Sequence, residues 1–238
     1  MGLRVELQVA GMRRRNSRWI AVPLFAAALA VSANGHAQSS GGWAATATAQ
    51  GTAEITLDAK QSEAVKLVSG YFNTLKQMRG IFVQTDPDKK RTRGRFYVQK
   101  PGKFRFDYAA PTRKIMASDG RLLRIKEPDQ SNEDAVELDN TPFRLLLKAN
   151  VDLLRDARIL DVQESDDLVI VALQDKSPDA PGRVQLIFTK KPGFDLKEWV
   201  VRDPQGLETK VEVGELNKTD ALDAQLFVWD VGNIFDKK

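Results

Sequence analysis

The chain has no cysteine, and its one histidine, His36, stands near the front. Without thiols, cysteine nucleophiles and thiolate zinc sites have no residues to build them, and Ser-His relays go too if His36 leaves with a leader. Any chemistry would fall to carboxylates, lysines or tyrosines. Disulfides are equally excluded, so the fold must rest on a hydrophobic core, which a chain of 238 residues can supply. No cysteine is available to carry a lipid anchor either. Long apolar runs are scarce: the run from Trp19 to Val31 covers 13 residues, short of the roughly 20 that a membrane-spanning helix needs.

That run has a different use. Arg13, Arg14, Arg15 and Arg18 flank it on one side, and the small residues Gly35 and Ala37 follow on the other. The pattern predicts a secretory signal peptide over residues 1–37, cut after Ala37, by the general route. Met12 stands just before the basic cluster, so the true start is Met1 or Met12. Cleavage would remove five arginines and one glutamate from the 36 basic and 32 acidic side chains, leaving 31 of each, and would remove His36 as well. The basic balance therefore belongs to the leader, and no nucleic-acid partner is expected. Residues 38–56 are small, polar and patternless and read as a disordered linker, in which Trp43 has no evident role. Residues 57–238 read as the folded domain.

The domain opens with Val65, Val68, Phe72, Leu75 and Met78 at helical spacing, Asp58 and Gln61 placed as a capping box, and Gly80 as the stop. The period then falls to two. Six strand candidates run from GIFVQT to AVELD, with Lys100-Pro101-Gly102 and Asp119-Gly120 as hairpin turns. The stretch Asn140 to Ala157 is helical in composition, with Thr141 as cap and Pro142 at the first position, and Asn150 divides it into two short helices. Six further strands end at AQLFVWDV. The class is mainly β (α+β): about a dozen antiparallel strands that must nearly close to hide their edges, plugged by two helical pieces.

The stretch KPGKFRFDYAAP sets Phe104, Phe106 and Tyr108 on one strand face, with Lys103, Arg105 and Asp107 between them. Three readings are open: an ordinary half-buried strand, a platform for stacking bases, or the wall of an apolar cavity. The balanced charge and the leader argue against the second. A carboxylate hydrolase would need paired acids in one cleft. Asp166/Asp167 and Glu133/Asp134 are adjacent, but both flank turns, where solvated charges are ordinary.

The segments GRFYVQKPGKFRFDYAAP, SDGRLLRIKEP and NTPFRLLLKAN, in this order behind a leader and an amphipathic helix, resemble the LolA family of periplasmic outer-membrane lipoprotein carriers from about Asp58 onward. The resemblance implies an incomplete antiparallel β-barrel of about 11 strands under an α-helical lid. It implies a periplasmic chaperone, a monomer without cofactor, metal or catalysis. Such a chaperone takes lipoproteins from an inner-membrane ABC transporter to an outer-membrane acceptor, where one is present. Phe72, Phe82, Phe96, Phe104, Phe106, Leu123, Phe143 and Leu146 would contact lipid, with Phe104 at the mouth. Lys100, where the best-known carriers have arginine, would latch the lid through carbonyls near Phe72, Leu146 and Leu147. An ammonium is a point charge rather than a planar fork, which weakens a bridge to several carbonyls at once. A related lipid-binding or lipoprotein-sensing regulatory protein is the alternative within this fold.

Overall fold

Asp58 starts the leading helix as its spacing predicts. Its carboxylate accepts from Gln61 N at 2.7 Å while the Gln61 side chain accepts from Asp58 N at 3.0 Å, so two amides that the first turn leaves unpaired are both satisfied. In the computed structural model, which describes residues 53–127 and 133–229, helix α1 spans Ala59–Thr74. It ends six residues before Gly80, the expected stop. Leu75 turns to extended backbone, and Met78 and Gly80 belong to strand β1, Gln77–Thr85. Met78 satisfied the helical spacing because burial at every second residue of a strand produces the same hit. The leader reading lies outside the described residues, as does most of the linker. Within the described end of that linker, Ile55 packs against the core and donates its amide to Ile159 O at 2.9 Å.

Strands β2 (Arg91–Gln99), β3 (Lys103–Tyr108), β4 (Ile115–Asp119), β5 (Leu122–Lys126) and β6 (Asp134–Glu137) follow. Two four-residue helices come next, α2 (Arg144–Leu147) and α3 (Leu153–Asp156). Strands β7 (Ala157–Glu164), β8 (Leu168–Asp175), β9 (Arg183–Thr189), β10 (Asp195–Arg202) and β11 (Glu208–Asn217) complete the set. All pair antiparallel in one sheet of 11 strands, ordered β6-β5-β4-β3-β2-β1-β11-β10-β9-β8-β7. The sheet is open between β6 and β7, and the helical segment connects those two edges. This is the expected incomplete barrel.

Three local expectations are corrected. The β4–β5 turn residues are Gly120 and Arg121, one place later than Asp119-Gly120. Asp119 instead accepts from the amides of Arg121 and Leu122, both at 2.8 Å, and Gly120 takes φ +102°, which favours glycine. Thr141 does not cap a helix through its side chain: its hydroxyl donates back to Leu138 O at 2.8 Å, and α2 starts after Phe143. In AQLFVWDV, Ala224–Phe227 forms a 3-10 turn rather than a strand. β11 already pairs with β1 and β10, so no edge beside it is free for a twelfth strand. Phe227 is buried, and the neighbouring Leu226 carbonyl accepts from Arg105 Nη1 on the outer face of β3.

Register sets the inner face. Val98, Phe104, Ser118, Leu123 and Val136 form one row across β2 to β6, and Phe96, Phe106, Met116 and Ile125 form the next. On the other side, Val211, Trp199, Leu186, Val171 and Val162 line up across β11 to β7. Val65, Val68 and Phe72 of α1 belong to the same core.

Candidate functional site

Aromatic rings fill the concave face of β1 to β3. Phe82 meets Phe106 at 5.1 Å and Tyr108 at 5.0 Å, both edge to face. Phe106 stacks on Phe96 at 5.8 Å and meets Phe104 at 5.9 Å and Trp199 at 6.2 Å. Two glycines make room for them. A Cβ on Gly94 would fall 2.1 Å from Asp107 O and 2.7 Å from the Phe82 ring, and one on Gly80 would fall 2.8 Å from the Phe96 ring. A side chain at either place would displace a ring of this set.

Phe104 then meets Phe143, just before α2, at 5.8 Å. Phe82, Phe96, Phe104, Leu123 and Leu146 are buried in one cluster, with Phe106 and Phe143 packed against it. Phe72 belongs to the same cluster but keeps different ring neighbours, Tyr71 and Phe188. Tyr71, Trp199 and Phe188 are ring partners that sequence reasoning did not single out. Each sits at an inward position of its own element, but their meeting depends on strands far apart in the chain.

The helical cover is fastened by polar contacts that can be separated one by one. Lys100 Nζ donates to Phe72 O at 2.6 Å. Helix α1 has no basic residue in its last turn, so Lys100 brings a cation to the carbonyl end, where the helix dipole and unpaired carbonyls favour one. Burial lowers the pKa of this ammonium below the ordinary lysine value. Among the described residues, Lys100 Nζ donates only to Phe72 O. The Leu147 carbonyl accepts instead from the Gly102 amide at 2.9 Å. The contacts that the resemblance assigned to one side chain are thus divided between Lys100 and the backbone of its turn.

Further fasteners lie beyond the resemblance. The Asn73 amide group donates to Val151 O at 2.8 Å and accepts from Val151 N at 2.7 Å, tying α1 to the loop before α3. Arg144 of α2 grips Asp175 through two bonds of 2.5 and 2.9 Å, and the Asp175 side chain is fully buried. Such two-pronged pairs are geometrically demanding. An arginine and an aspartate 31 residues apart give no sequence signal of their pairing.

At the far end of the strands from Lys100, the inner face turns polar. Tyr108 donates its hydroxyl to Gln84 Oε1 at 2.6 Å, and Gln84 Nε2 donates to Asp86 Oδ1 at 2.7 Å. The Lys114 ammonium lies 4.5 Å from the Tyr108 ring centroid. All four residues are buried. Burial raises the Asp86 carboxyl, against the pull of the Gln84 bond and the Lys114 charge, and burial lowers the Lys114 ammonium, against Glu127 and Asp86.

The acid pairs considered for hydrolysis form no such enclosed site. Asp166 and Asp167 are exposed in the β7–β8 turn, and Glu133 and Asp134 are exposed at the edge strand, where Glu133 accepts from Trp229 Nε1. Among the described residues no group of three acidic or metal-ligating side chains could hold a metal ion, and no helix is long and apolar enough to cross a membrane.

The model of the outer membrane lipoprotein carrier protein LolA matches residues 73–230. The match starts at Asn73, so most of α1 lies ahead of it. An outer-membrane lipoprotein carrier protein from Pseudomonas aeruginosa is 26% identical over 183 residues, covering 73% of this chain and 86% of that one. Another, from Chromohalobacter salexigens, is 27% identical over 143 residues, or 58% of this chain and 66% of that one. A solved LolA superfamily protein from Nitrosomonas europaea covers 69% of this chain and 97% of its own at 12% identity, with a TM-score of 0.39. With the family model matched over residues 73–230, well over half its length, the chain belongs to the LolA family of outer membrane lipoprotein carrier proteins.

Proposed function

We propose that the chain is a periplasmic lipoprotein carrier. It receives the acyl chains of a lipoprotein from an inner-membrane ABC transporter and delivers them to an outer-membrane acceptor. The observation that carries the reading is the aromatic inner face beneath helices of four residues, held by bonds such as Gly102 to Leu147 and Arg144 to Asp175. Each methylene removed from water is worth about 0.8 kcal/mol, so an acyl chain crosses water only inside such a surface. In this state Phe82 and Phe96 are each 1% exposed, so the rings must part with the lid to admit lipid.

Release requires the filled and empty states to differ by only a few kcal/mol. Phe72, Phe82, Phe96, Phe104, Phe106, Leu123, Phe143 and Leu146 serve as the lipid surface in this reading, and Lys100 and Leu147 as the latch. The work is binding and release without bond-making.

Depletion of the protein tests the role directly. Outer-membrane lipoproteins should accumulate in the inner membrane or the periplasm. Normal sorting after depletion would overturn the proposal.

A further inference from the structure

A groove of about 920 Å³ runs beside α1. Its walls are α1, the connection into β1, the β9–β10 turn and the residues after β11. The volume falls within the roughly 300–1,000 Å³ of small-molecule sites. Leu67, Tyr71, Leu75 and Phe194 give it apolar lining, while Lys66, Lys76 and Lys218 stand among its polar residues with one acid, Glu63. The floor is firmly backed. Phe194 stacks face to face on Phe188 at 4.7 Å, Tyr71 meets Phe188 edge-on at 5.0 Å, and Phe188 is fully buried.

Leu67 is 48% exposed, one of the few large apolar side chains left so open among the described residues. The cations are not equally free. Lys66 pairs with Glu63 at 2.7 Å, and Lys218 pairs with Asp195, which also accepts from Tyr71 Oη at 3.4 Å. Lys76 is exposed and has no carboxylate partner among the described residues.

An uncharged alkyl compound would leave Lys76 unanswered, and a simple anion would leave Leu67 and the aromatic floor in water. A molecule with both parts satisfies both. We propose that this groove binds an anionic amphiphile, with its alkyl chain along Leu67, Tyr71, Leu75 and Phe194 and its carboxylate or phosphate head at Lys76. The site uses none of the side chains assigned to the lipid surface or the latch, although the Lys76 carbonyl accepts from the Lys100 amide at 2.9 Å.

Because the chain has no cysteine, Leu67→Cys supplies a single thiol for an environment-sensitive fluorophore on the full chain. Palmitate and lysophosphatidate, titrated separately, should each be tested for a saturable blue shift; the one that saturates at lower concentration identifies the head group. Lys76→Glu should raise the half-saturating concentration about tenfold for the anion, while hexadecanol should respond equally in both backgrounds. Lys76 is exposed, so an unchanged melting temperature will show that the variant folds. No shift with either anion, or a shift indifferent to Lys76→Glu, would sink the proposal. With Trp19, Trp43 and Trp229 changed to Phe so that Trp199 reports alone, a change confined to its fluorescence would also overturn it, since the ligand would then be in the interior, and the carrier reading would stand. A response at the groove with Trp199 silent supports the groove whatever becomes of that reading.

Discussion

The two halves of the sheet are covered in different ways. Strands β7 to β11 present mostly aliphatic side chains, Val162, Val171, Leu173, Val184 and Leu186 among them, and α1 packs into the same core through Val65 and Val68. Branched side chains have few rotamers and interlock closely. Strands β1 to β3 present rings instead, met by α2 and its flanks. Helices of four residues have no stability of their own, and α2 and α3 stay in place through contacts such as Arg144 to Asp175 and Gly102 to Leu147. One half is closed by interlocked aliphatic side chains and a long helix. The other is covered by short helices that depend on a few polar contacts.

The largest effect should come from the aliphatic half. Leu173→Ala, at a site 1% exposed, should cost about 3 kcal/mol in denaturant unfolding, with loss of the whole cooperative transition rather than of the lid alone. Arg144→Ala should come next, at about 2 kcal/mol, because among the described residues Asp175 would keep only the Ser177 amide at 2.7 Å as a partner. Hydrogen exchange should then rise first in α2 and α3; uniform exposure of all strands would show that the two halves are not separable.

Lys100→Leu should cost about 1 kcal/mol by removing the donor to Phe72 O. It should leave the fold intact while impairing release of lipoprotein to an acceptor in a purified transfer assay. Unchanged transfer would remove Lys100 from the mechanism.

The smallest effect concerns pH. Burial raises the Asp86 carboxyl, so the folded state holds its proton to higher pH than the unfolded chain does. Stability from this group is fully present below the ordinary carboxylate value and is lost as pH rises through the raised one. Asp86→Asn should remove that slope, with an amide oxygen still able to accept from Gln84. The difference between the two proteins should be confined to that window, and a parallel pair of pH–stability curves would show that Asp86 is not held up.

Much of this contrast could be read along the chain. Alternation marked the strands from Phe82 to Val213, the Asp58/Gln61 box marked the start of α1, and Asn150 separated the two short helices as expected. Misreadings arose where two periods coincide or where pairing was already complete. Met78 suits helix and strand alike, and the alternating Ala224–Phe227 segment found no edge to join. Of the site, the rings at every second residue were legible because alternation is local. Asn73 with Val151, Arg144 with Asp175 and Tyr108 with Gln84 were not, because each contact is between residues far apart in the chain with no shared pattern.

By itself, the sequence determined the exclusion of thiol chemistry, the predominance of strands and the apolar inner face of β3, because composition and short-range spacing dictate these. The resemblance already set Lys100 against carbonyls near Phe72; only the tertiary structure decided that Gly102 takes the Leu147 carbonyl and that a cationic groove opens beside Leu67. Those depend on how a twisted sheet of 11 strands brings distant turns against one helix, and no local pattern encodes that meeting.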